Sequence, residues 1–323
     1  MADIVALGEL LIDFTPAGLS DQGAVLLARN AGGAPANVLA MSSILGKSTA
    51  FIGKVGQDSF GLFLKKTLES NAIDVSGLTV SKTENTTLAF VSLDETGERS
   101  FDFYRTNSAD VMLRREEVPE KLLEGCKLFH FGSVSMTAEP ARDATLYAAR
   151  RAKELGKLVS YDPNFRPALW SDRNEAVRVM RAGLAFADLV KVSDDELELL
   201  TGCTDFLAGA RALVAGGAKL ALVTSGEQGT WYAAVSGHEG HIPSIKVNAV
   251  DTTGAGDTFL GALLSELLDC SPDLDHIPEQ ELKRMIRFAN VAGALCTTGP
   301  GAIAAMPDRE QILSRLYEEN HRA

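Results

Sequence analysis

The stretch Asp251-Thr252-Thr253-Gly254-Ala255-Gly256-Asp257 leads directly into an apolar run with helical spacing. Apolar residues follow at positions 259, 260, 263, 264, 267 and 268, the stripe of a buried helix. Gly254–Gly256 should therefore lie at the helix start, where free backbone N–H groups and the positive end of the helix dipole bind anions. An Asp at position 257 can accept a proton from a group that approaches this anion, so the stretch suits phosphoryl transfer. A glycine-rich turn in which Asp257 is only a helix cap would have the same sequence.

The rest of the chain alternates short apolar strands with segments of helical period. This alternation predicts βαβ units, and hence an α/β fold whose mostly parallel sheet is covered by helices on both faces. The predicted strands are 4–7, 49–52, 128–131, 158–161, 189–192 and 220–224, and the predicted helices are 36–45, 60–70, 138–155, 174–186, 194–200 and 206–215.

Two segments break the alternation. Residues 14–31 have no helical period, and residues 87–93 and 100–105 resemble two strands joined by a turn at 94–98. Both segments suit a small antiparallel sheet whose apolar face needs a ligand or a second subunit. No linker composition divides the chain, so we expect one domain over residues 1–323 with lid segments at about 14–31 and 86–107.

Composition excludes several classes of function. The formal net charge is −12 and no basic stripe is present, which argues against a nucleic-acid partner. No apolar run is long enough for a membrane span, and the N-terminus lacks the pattern of a signal peptide. The four cysteines are widely spaced without metal-ligand pairing. We therefore expect a cytoplasmic protein.

Two further glycine patterns give opposite indications. Residues 45–49 imitate the end of a P-loop, but Met41 occupies the position of the required first glycine, and no strand–GxGxxG–helix unit is present. The second pattern, Ala31-Gly32-Gly33-Ala34-Pro35-Ala36-Asn37-Val38, combines a close-approach backbone with a proline that suits the first turn of a helix. Alone, it is equally typical of a loop that introduces a helix.

The two glycine clusters together, in this order, resemble the ribokinase or PfkB family of sugar kinases over essentially the whole chain. The N-terminal family motif matches residues 32–37 and 56–61, and the C-terminal motif matches 251–257 without a departure. The stretches 103–105, 129–133, 161–166 and 191–196 are most similar to the fructokinases of that family. The resemblance implies a ribokinase-like three-layer sandwich with a β-sheet lid that often clasps a dimer, and ATP-dependent phosphorylation of D-fructose to fructose 6-phosphate.

The resemblance also implies roles for individual residues. Asp257 matches the catalytic base, and Gly254, Ala255 and Gly256 match the turn whose amides hold the transferring phosphoryl group. The implied sugar-binding residues are Asp13, Gly32, Gly33, Asn37, Phe103, Arg105 and Arg166.

A second set of implied roles concerns ATP and ions. The residues matched to ATP are Ser193, Glu196, Thr224, Gly226, Gly229 and Asn290. Glu196 matches an acid tied to Mg²⁺, through water, although Ser193 stands where the family motif has Asn. Asp251, Thr253 and Gly301 match a monovalent-cation site, with K⁺ as the expected ion.

Several alternatives remain open. The chain could instead phosphorylate ribose, 2-keto-3-deoxygluconate or a nucleoside, because small changes in a sugar pocket redirect preference. A kinase-like regulatory protein should lack the base or the anion-binding turn, and a dehydrogenase should carry a dinucleotide motif. Arg105 could be a solvated lid charge, and Asn290 could cap a turn. His130, Tyr161 and Trp170 are more typical of packed residues than of ligand-binding ones.

Overall fold

The structure, a computed structural model, describes residues 1–93, 99–270 and 273–321. Its main element is a nine-stranded sheet in the order β13-β12-β11-β10-β9-β8-β1-β4-β5. Neighbouring strands are parallel except at β11–β12 and β12–β13, which are antiparallel. The strands are β1 Ile4–Leu7, β4 Thr49–Gly56, β5 Ile73–Ser81, β8 Leu128–Gly132, β9 Leu158–Asp162, β10 Leu189–Ser193, β11 Leu220–Thr224, β12 Thr230–Ala234 and β13 Glu239–Ile242.

Helices cover both faces of this sheet. Each strand therefore has one set of side chains buried against the helices of one face and the alternate set buried against the helices of the other face. The helices are α1 Ala34–Ile44, α2 Ser59–Ser70, α3 Glu120–Gly125, α4 Ala141–Glu154, α5 Arg173–Leu184, α6 Asp194–Thr201, α7 Phe206–Ala215, α8 Ala255–Cys270, α9 Glu279–Cys296 and α10 Arg309–His321. Leu189 packs on the side of α1, α8 and α9, whereas its neighbour Val190 packs on the side of α4 to α7. The alternation follows from the two-residue period of a strand, and it produces a three-layer α/β sandwich.

A separate four-stranded sheet has the order β3-β2-β6-β7 and consists of β2 Leu11–Leu19, β3 Val25–Gly32, β6 Leu88–Leu93 and β7 Arg99–Tyr104. Its register aligns Asp13 with Asn30 and Ala89, and Ala89 with Phe103, so these four residues share one face. The other face carries Phe14 and Phe90, which stack with ring centroids 5.0 Å apart.

The predicted strands and helices are confirmed, with shifted ends. The predicted helix 138–155 begins at Ala141, after Pro140, because proline disfavours helical backbone at the residue before it. The strand predicted at 49–52 continues to Gly56. The predicted turn at 94–98 lies outside the described residues, but the strands on either side pair antiparallel as expected. The small sheet is not wholly antiparallel as predicted, because β2 and β6, which come from the two separate segments, pair in parallel. Residues 45–48 form a loop that leads into β4 at Thr49, so the stretch 45–49 is not a P-loop.

Helices α1 and α8 lie in close contact at Gly261. A Cβ at Gly261 would lie 2.6 Å from the backbone oxygen of Val38 and 2.7 Å from Cβ of Met41. The Oγ of Ser42 also donates a hydrogen bond of 3.1 Å to the oxygen of Gly261. Only glycine permits this approach, which fixes the distance between the two helices.

Gly261→Ala should therefore destabilise the protein by about 1–3 kcal/mol, the usual cost of overpacking a core. The measurement is the free energy of unfolding from denaturant titration. Gly125→Ala is the matched control, because its Cβ would meet nothing closer than 3.5 Å. Equal stability of the two variants would contradict the tight α1–α8 contact.

Candidate active site

A cleft of about 1270 Å³ lies where several parallel strands of the large sheet end. Strands β9, β10 and β11 end at Asp162, Ser193 and Thr224, and the cleft wall includes Asn164, Lys191, Ser193 and Thr224. The carboxyl ends of parallel strands meet at one edge of a sheet, which is where ligands bind in open α/β folds. The start of α8 closes the same cleft with Gly254, Gly256 and Asp257.

The start of α8 has the geometry of an anion-binding turn. Gly254 has φ 74°, and a Cβ there would lie 2.5 Å from Cβ of Ala302. The helix begins at Ala255, and the amide of Thr258 donates to the oxygen of Gly254 at 2.8 Å. The amides of Gly254, Ala255 and Gly256 thus lie at the positive end of a sixteen-residue helix, next to the cleft.

Asp257 lies in the first turn of α8 and exposes only 7% of its surface. Nδ2 of Asn37, on α1, donates to Asp257 Oδ2 at 2.8 Å, and Nδ2 of Asn164 lies 3.4 Å from Oδ1. Burial raises the pKa of Asp257 to about 6, although the hydrogen bond from Asn37 acts in the opposite direction. A carboxylate with this pKa is ionised at neutral pH and is well matched to accept a proton.

Asp13 lies on the lid-sheet face that also carries Phe103. Burial raises its pKa to about 6, while Arg166 acts to lower it. A Cβ at Gly32 would lie only 2.0 Å from Asp13 Oδ2, so the glycine makes room for this carboxylate. Gly33 has φ 124° and its backbone passes so close to Glu9 that a Cβ would lie 2.3 Å from the oxygen of Glu9. The second glycine cluster therefore holds the backbone between the lid strand and α1 in a conformation that L side chains rarely adopt.

The two arginines in the predicted sugar set lie in different environments. Arg105 is buried, and its guanidinium donates to Asp110 Oδ2 at 2.7 Å, Thr137 Oγ1 at 2.7 Å and the oxygen of Val134 at 2.9 Å. It is therefore not a solvated lid charge, because it ties the end of the lid to the main body. Arg166 is exposed at the cleft wall and acts electrostatically on both Asp13 and Asp257.

Ser193 and Glu196 form a reciprocal cap at the start of α6. The amide of Ser193 donates to Glu196 Oε2 at 2.8 Å, and the amide of Glu196 donates to Ser193 Oγ at 3.3 Å. Glu196 Oε1 also accepts from the amide of Phe165 at 2.6 Å. Burial and the neighbouring charge of Asp162 raise the pKa of Glu196.

The residues predicted to contact the nucleotide lie in two groups. Thr224 and Gly226 line the cleft, and Gly229 has φ 93° with the segment 242–244 packed against it. Asn290, on α9, accepts from Thr230 Oγ1 at 2.6 Å and donates to the oxygen of Ile242 at 2.9 Å. Asn290 thus links α9 to strands β12 and β13 rather than capping a turn.

The three residues predicted to surround a monovalent cation are brought together by one side chain. Asp251 Oδ1 accepts from the amide of Thr253 at 2.8 Å, and Asp251 Oδ2 accepts from the amide of Gly301 at 2.9 Å. This carboxylate therefore joins the loop before α8 to the loop after α9, directly behind the anion-binding turn.

Three residues of the cleft, Asp162, Asn164 and Lys191, had no predicted role. Lys191 Nζ donates to Asp162 Oδ2 at 2.8 Å in a buried ion pair, and Asn164 has φ 49°, an unusual conformation for a residue other than glycine. A signal was present, because Lys191 interrupts an apolar strand and the Asp-Pro-Asn run follows a strand end.

The residues expected to pack do so. His130 is buried, with Nδ1 3.2 Å from Ser160 Oγ, and burial lowers its pKa to about 4. Tyr161 stacks on Phe131 and donates to the oxygen of Met180 at 3.1 Å. Trp170 differs in that it also lines the cleft.

Known proteins similar to this chain identify its family. A family model described as pfkB family carbohydrate kinase matches residues 1–309. "Probable fructokinase-2" of Arabidopsis thaliana is 45% identical over 318 residues, which cover 97% of this chain and 95% of that protein.

Solved structures similar to this chain indicate the same family. A fructokinase from Xylella fastidiosa with bound ATP has a TM-score of 0.91 at 34% identity and covers 99% of this chain and 100% of its own. A double mutant of Vibrio cholerae fructokinase, bound to fructose, ADP and potassium ion, has a TM-score of 0.86 at 32% identity and covers 97% of this chain and 98% of its own. With these matches and the α8 site, the chain belongs to the PfkB family of carbohydrate kinases.

Proposed function

We propose that this protein transfers the γ-phosphoryl group of ATP to the 6-hydroxyl of D-fructose and so forms fructose 6-phosphate. The observation that carries the proposal is a buried Asp257 held by two asparagines beside the amides of Gly254–Gly256. The names of the relatives support fructose as the sugar. Asp257 and the anion-binding turn are both present, which disfavours a regulatory protein without catalysis.

The sugar lies between the lid sheet and the start of α8 in this proposal. Asp13, the backbone at Gly32 and Gly33, and Asn37 supply hydrogen-bonding groups for its hydroxyls, because a carboxylate accepts two hydrogen bonds from a diol. Phe103 shares the face of Asp13 on the lid, and Arg166 lies exposed at the cleft wall. Arg105 fixes the lid through Asp110 and contributes to the sugar site by positioning β7.

Asp257 accepts the proton of the 6-hydroxyl while that oxygen attacks the γ-phosphorus. The amides at 254–256 hold the phosphoryl oxygens as their charge increases, which a fixed site does without reorganisation. Closure of the lid over the sugar would exclude water and limit hydrolysis of ATP.

The nucleotide would lie along the loop that contains Thr224, Gly226 and Gly229, with Asn290 holding the strands behind it. Mg²⁺, when bound, would neutralise phosphate charge. Among the described residues no three acidic, His or Cys side chains gather as a metal cluster. Because Mg²⁺ bound to phosphates keeps several waters, Glu196, whose oxygens already accept backbone amides, suits contact through water, with Ser193 holding it in place.

The loops at Asp251, Thr253 and Gly301 suit a monovalent cation, with K⁺ as the proposed ion. The Asp251 carboxylate supplies oxygen ligands and negative charge close behind the anion-binding turn. A cation there would add positive charge at the point where phosphoryl oxygens gather, which is the electrostatic reason to expect activation by K⁺.

The lid sheet suits contact with a second copy of the chain. Leu19, Val25, Leu26, Leu27 and Tyr104 are all exposed large apolar residues on this sheet. Exposed apolar groups at such density on a small sheet are typical of a partner surface, so we propose a homodimer through the lid.

In the described residues no helix is both long and apolar enough to cross a membrane. The four cysteines are free, which supports a cytoplasmic location.

Replacing Asp257 by Asn should lower kcat about 10²–10⁴-fold, since a positioned base is lost. Binding of ADP, measured by calorimetry, should change little. Asp269→Asn, an exposed position on the same helix, is the matched control and should keep the wild-type rate. A wild-type kcat in Asp257→Asn would exclude it as the base.

The pH profile should follow the pKa of Asp257. Because the base acts only when deprotonated, kcat/KM for fructose should fall as the pH drops through about 6. Asn37→Ala removes a hydrogen bond that lowers this pKa, so the acid limb should move to higher pH. The exposed Asn174→Ala should leave the limb in place. An unchanged limb in Asn37→Ala would contradict the assignment.

Asp13→Ala should raise the KM for fructose strongly with a smaller effect on ADP binding, because Asp13 lies on the lid, where the proposal places the sugar and not the nucleotide. Steady-state kinetics over a panel of fructose, ribose, 2-keto-3-deoxygluconate and nucleosides measures this and tests the substrate. Asp21→Ala, exposed at the turn between β2 and β3, is the control. If KM stays unchanged in Asp13→Ala, Asp13 does not belong to the sugar site.

A further inference from the structure

Lys191 is a charged residue buried in the cleft wall. Its neighbours along the strand, Val190 and Val192, are apolar. Lys191 lies on β10, exposes 7% of its surface and pairs with Asp162, which exposes 2%. Burial acts to lower the pKa of Lys191, but the negative charges of Asp162, Glu196 and Asp257 act more strongly, so the pKa lies above its usual value. The side chain is therefore a fixed positive charge at neutral pH.

The ammonium of Lys191 faces the anion-binding turn directly. Its Nζ lies 3.0 Å from the place that a Cβ on Gly256 would occupy. No side chain separates the two, because residue 256 is glycine. Lys191 lines the cleft together with Gly254, Gly256 and Asp257.

The ammonium of Lys191 has N–H groups that are not used in hydrogen bonds among the described residues. An ammonium carries three N–H groups, and among the described residues Lys191 donates one hydrogen bond, to Asp162 Oδ2. Asp162 is itself fixed, because its Oδ1 accepts from the amide of Asn164 at 3.1 Å. Lys191 is thus held from one side and has N–H groups available on another.

The charges buried around the cleft also indicate that Lys191 is available to a phosphate group. Three buried carboxylates, those of Asp162, Glu196 and Asp257, surround this one buried ammonium. Phosphate oxygens that enter the cleft need positive charge close to them, and a charge in a dry site is worth far more than one in water. Arg166 is exposed at the cleft, so solvent screens its charge more than that of Lys191.

We infer that Lys191 is a further catalytic residue: its ammonium, held by Asp162, binds an oxygen of the phosphoryl group that the amides of Gly254–Gly256 also hold. The inference rests on the proposed phosphoryl transfer. In that step the sugar oxygen forms a bond to the γ-phosphorus, and the bond from the γ-phosphorus to the bridging oxygen breaks. The electron pair leaves with ADP, and the hydroxyl proton passes to Asp257. Lys191 keeps all three protons and stabilises the charge on the transferring group.

The test compares Lys191→Met and Lys191→Gln with the wild-type protein, on the sugar that the wild type phosphorylates fastest. Loss of one such donor should lower kcat about 10²–10³-fold, with little change in the KM for the sugar. Lys54→Met is the matched control, because Lys54 is also a buried, ion-paired lysine but contacts Met112 and Glu117 instead of the cleft. Thermal unfolding checks that each variant folds. The glutamine variant keeps a polar group beside Asp162, so its kinetics are used if the methionine variant does not fold.

A second readout does not depend on turnover. Aluminium fluoride with ADP imitates the transferring phosphoryl group, so calorimetry should show a loss of about 100-fold or more in its affinity for the variants. Binding of ADP alone should be nearly unchanged. Equal losses for ADP alone and for ADP with aluminium fluoride would overturn the inference, since they would mean a general effect on the cleft.

The pH dependence separates direct contact from an effect through Asp257. Lys191 acts to lower the pKa of Asp257, so its removal moves the acid limb to higher pH. The loss in kcat should persist at pH 9, where Asp257 is ionised in both proteins. A loss that disappears at pH 9 would overturn direct contact with the phosphoryl group. Failure of the wild type to phosphorylate fructose would instead overturn the proposed substrate and leave the aluminium fluoride comparison decisive for Lys191.

Discussion

The contact between α1 and α8 is the constraint on which the site depends. Gly261 lets the two helices approach until its Cα lies against Val38 and Met41. At the same interface Asn37 of α1 donates to Asp257 of α8, across 220 positions of sequence. Because the helices are packed side by side, the asparagine that orients the base and the turn that binds the anion form one rigid unit. Each glycine cluster contributes one half of that unit.

Burial of charge is the second physical theme of the cleft. Removal of Asp257 from water raises its pKa to about 6, and burial raises that of Glu196 in the same way. These carboxylates can stay buried because backbone amides donate to Glu196 and two asparagines donate to Asp257, while the charge of Lys191 acts on Asp257 from nearby. The same desolvation strengthens every interaction with a transferring phosphoryl group. The Asp257 carboxylate can thus stay ionised although it lies next to a turn that binds phosphate.

Local patterns predicted the α/β alternation and the anion-binding helix start, because strand and helix periods and small residues act over short distances. Asp257 was predicted the same way, in the first turn of a helix, whereas Glu196 was assigned only through the family resemblance. Arg105 shows the limit of such patterns. Its position on the lid indicated a sugar ligand or a solvated charge, yet its guanidinium is buried against Asp110 and Thr137. No local signal shows that partners 5 and 32 residues away converge on one side chain.

The sequence by itself determined the family, the alternation of strands and helices over much of the chain, and which carboxylate follows the glycine turn, since each is a matter of local pattern or motif. Only the tertiary structure decided which groups surround that carboxylate. Asn37 on α1, Asn164 in the loop after β9 and Lys191 on β10 meet at Asp257 because parallel strands end at the same edge and α1 packs on α8. Such meetings depend on packing between residues distant in the chain, and the electrostatic environment of the base follows from them rather than from any one segment.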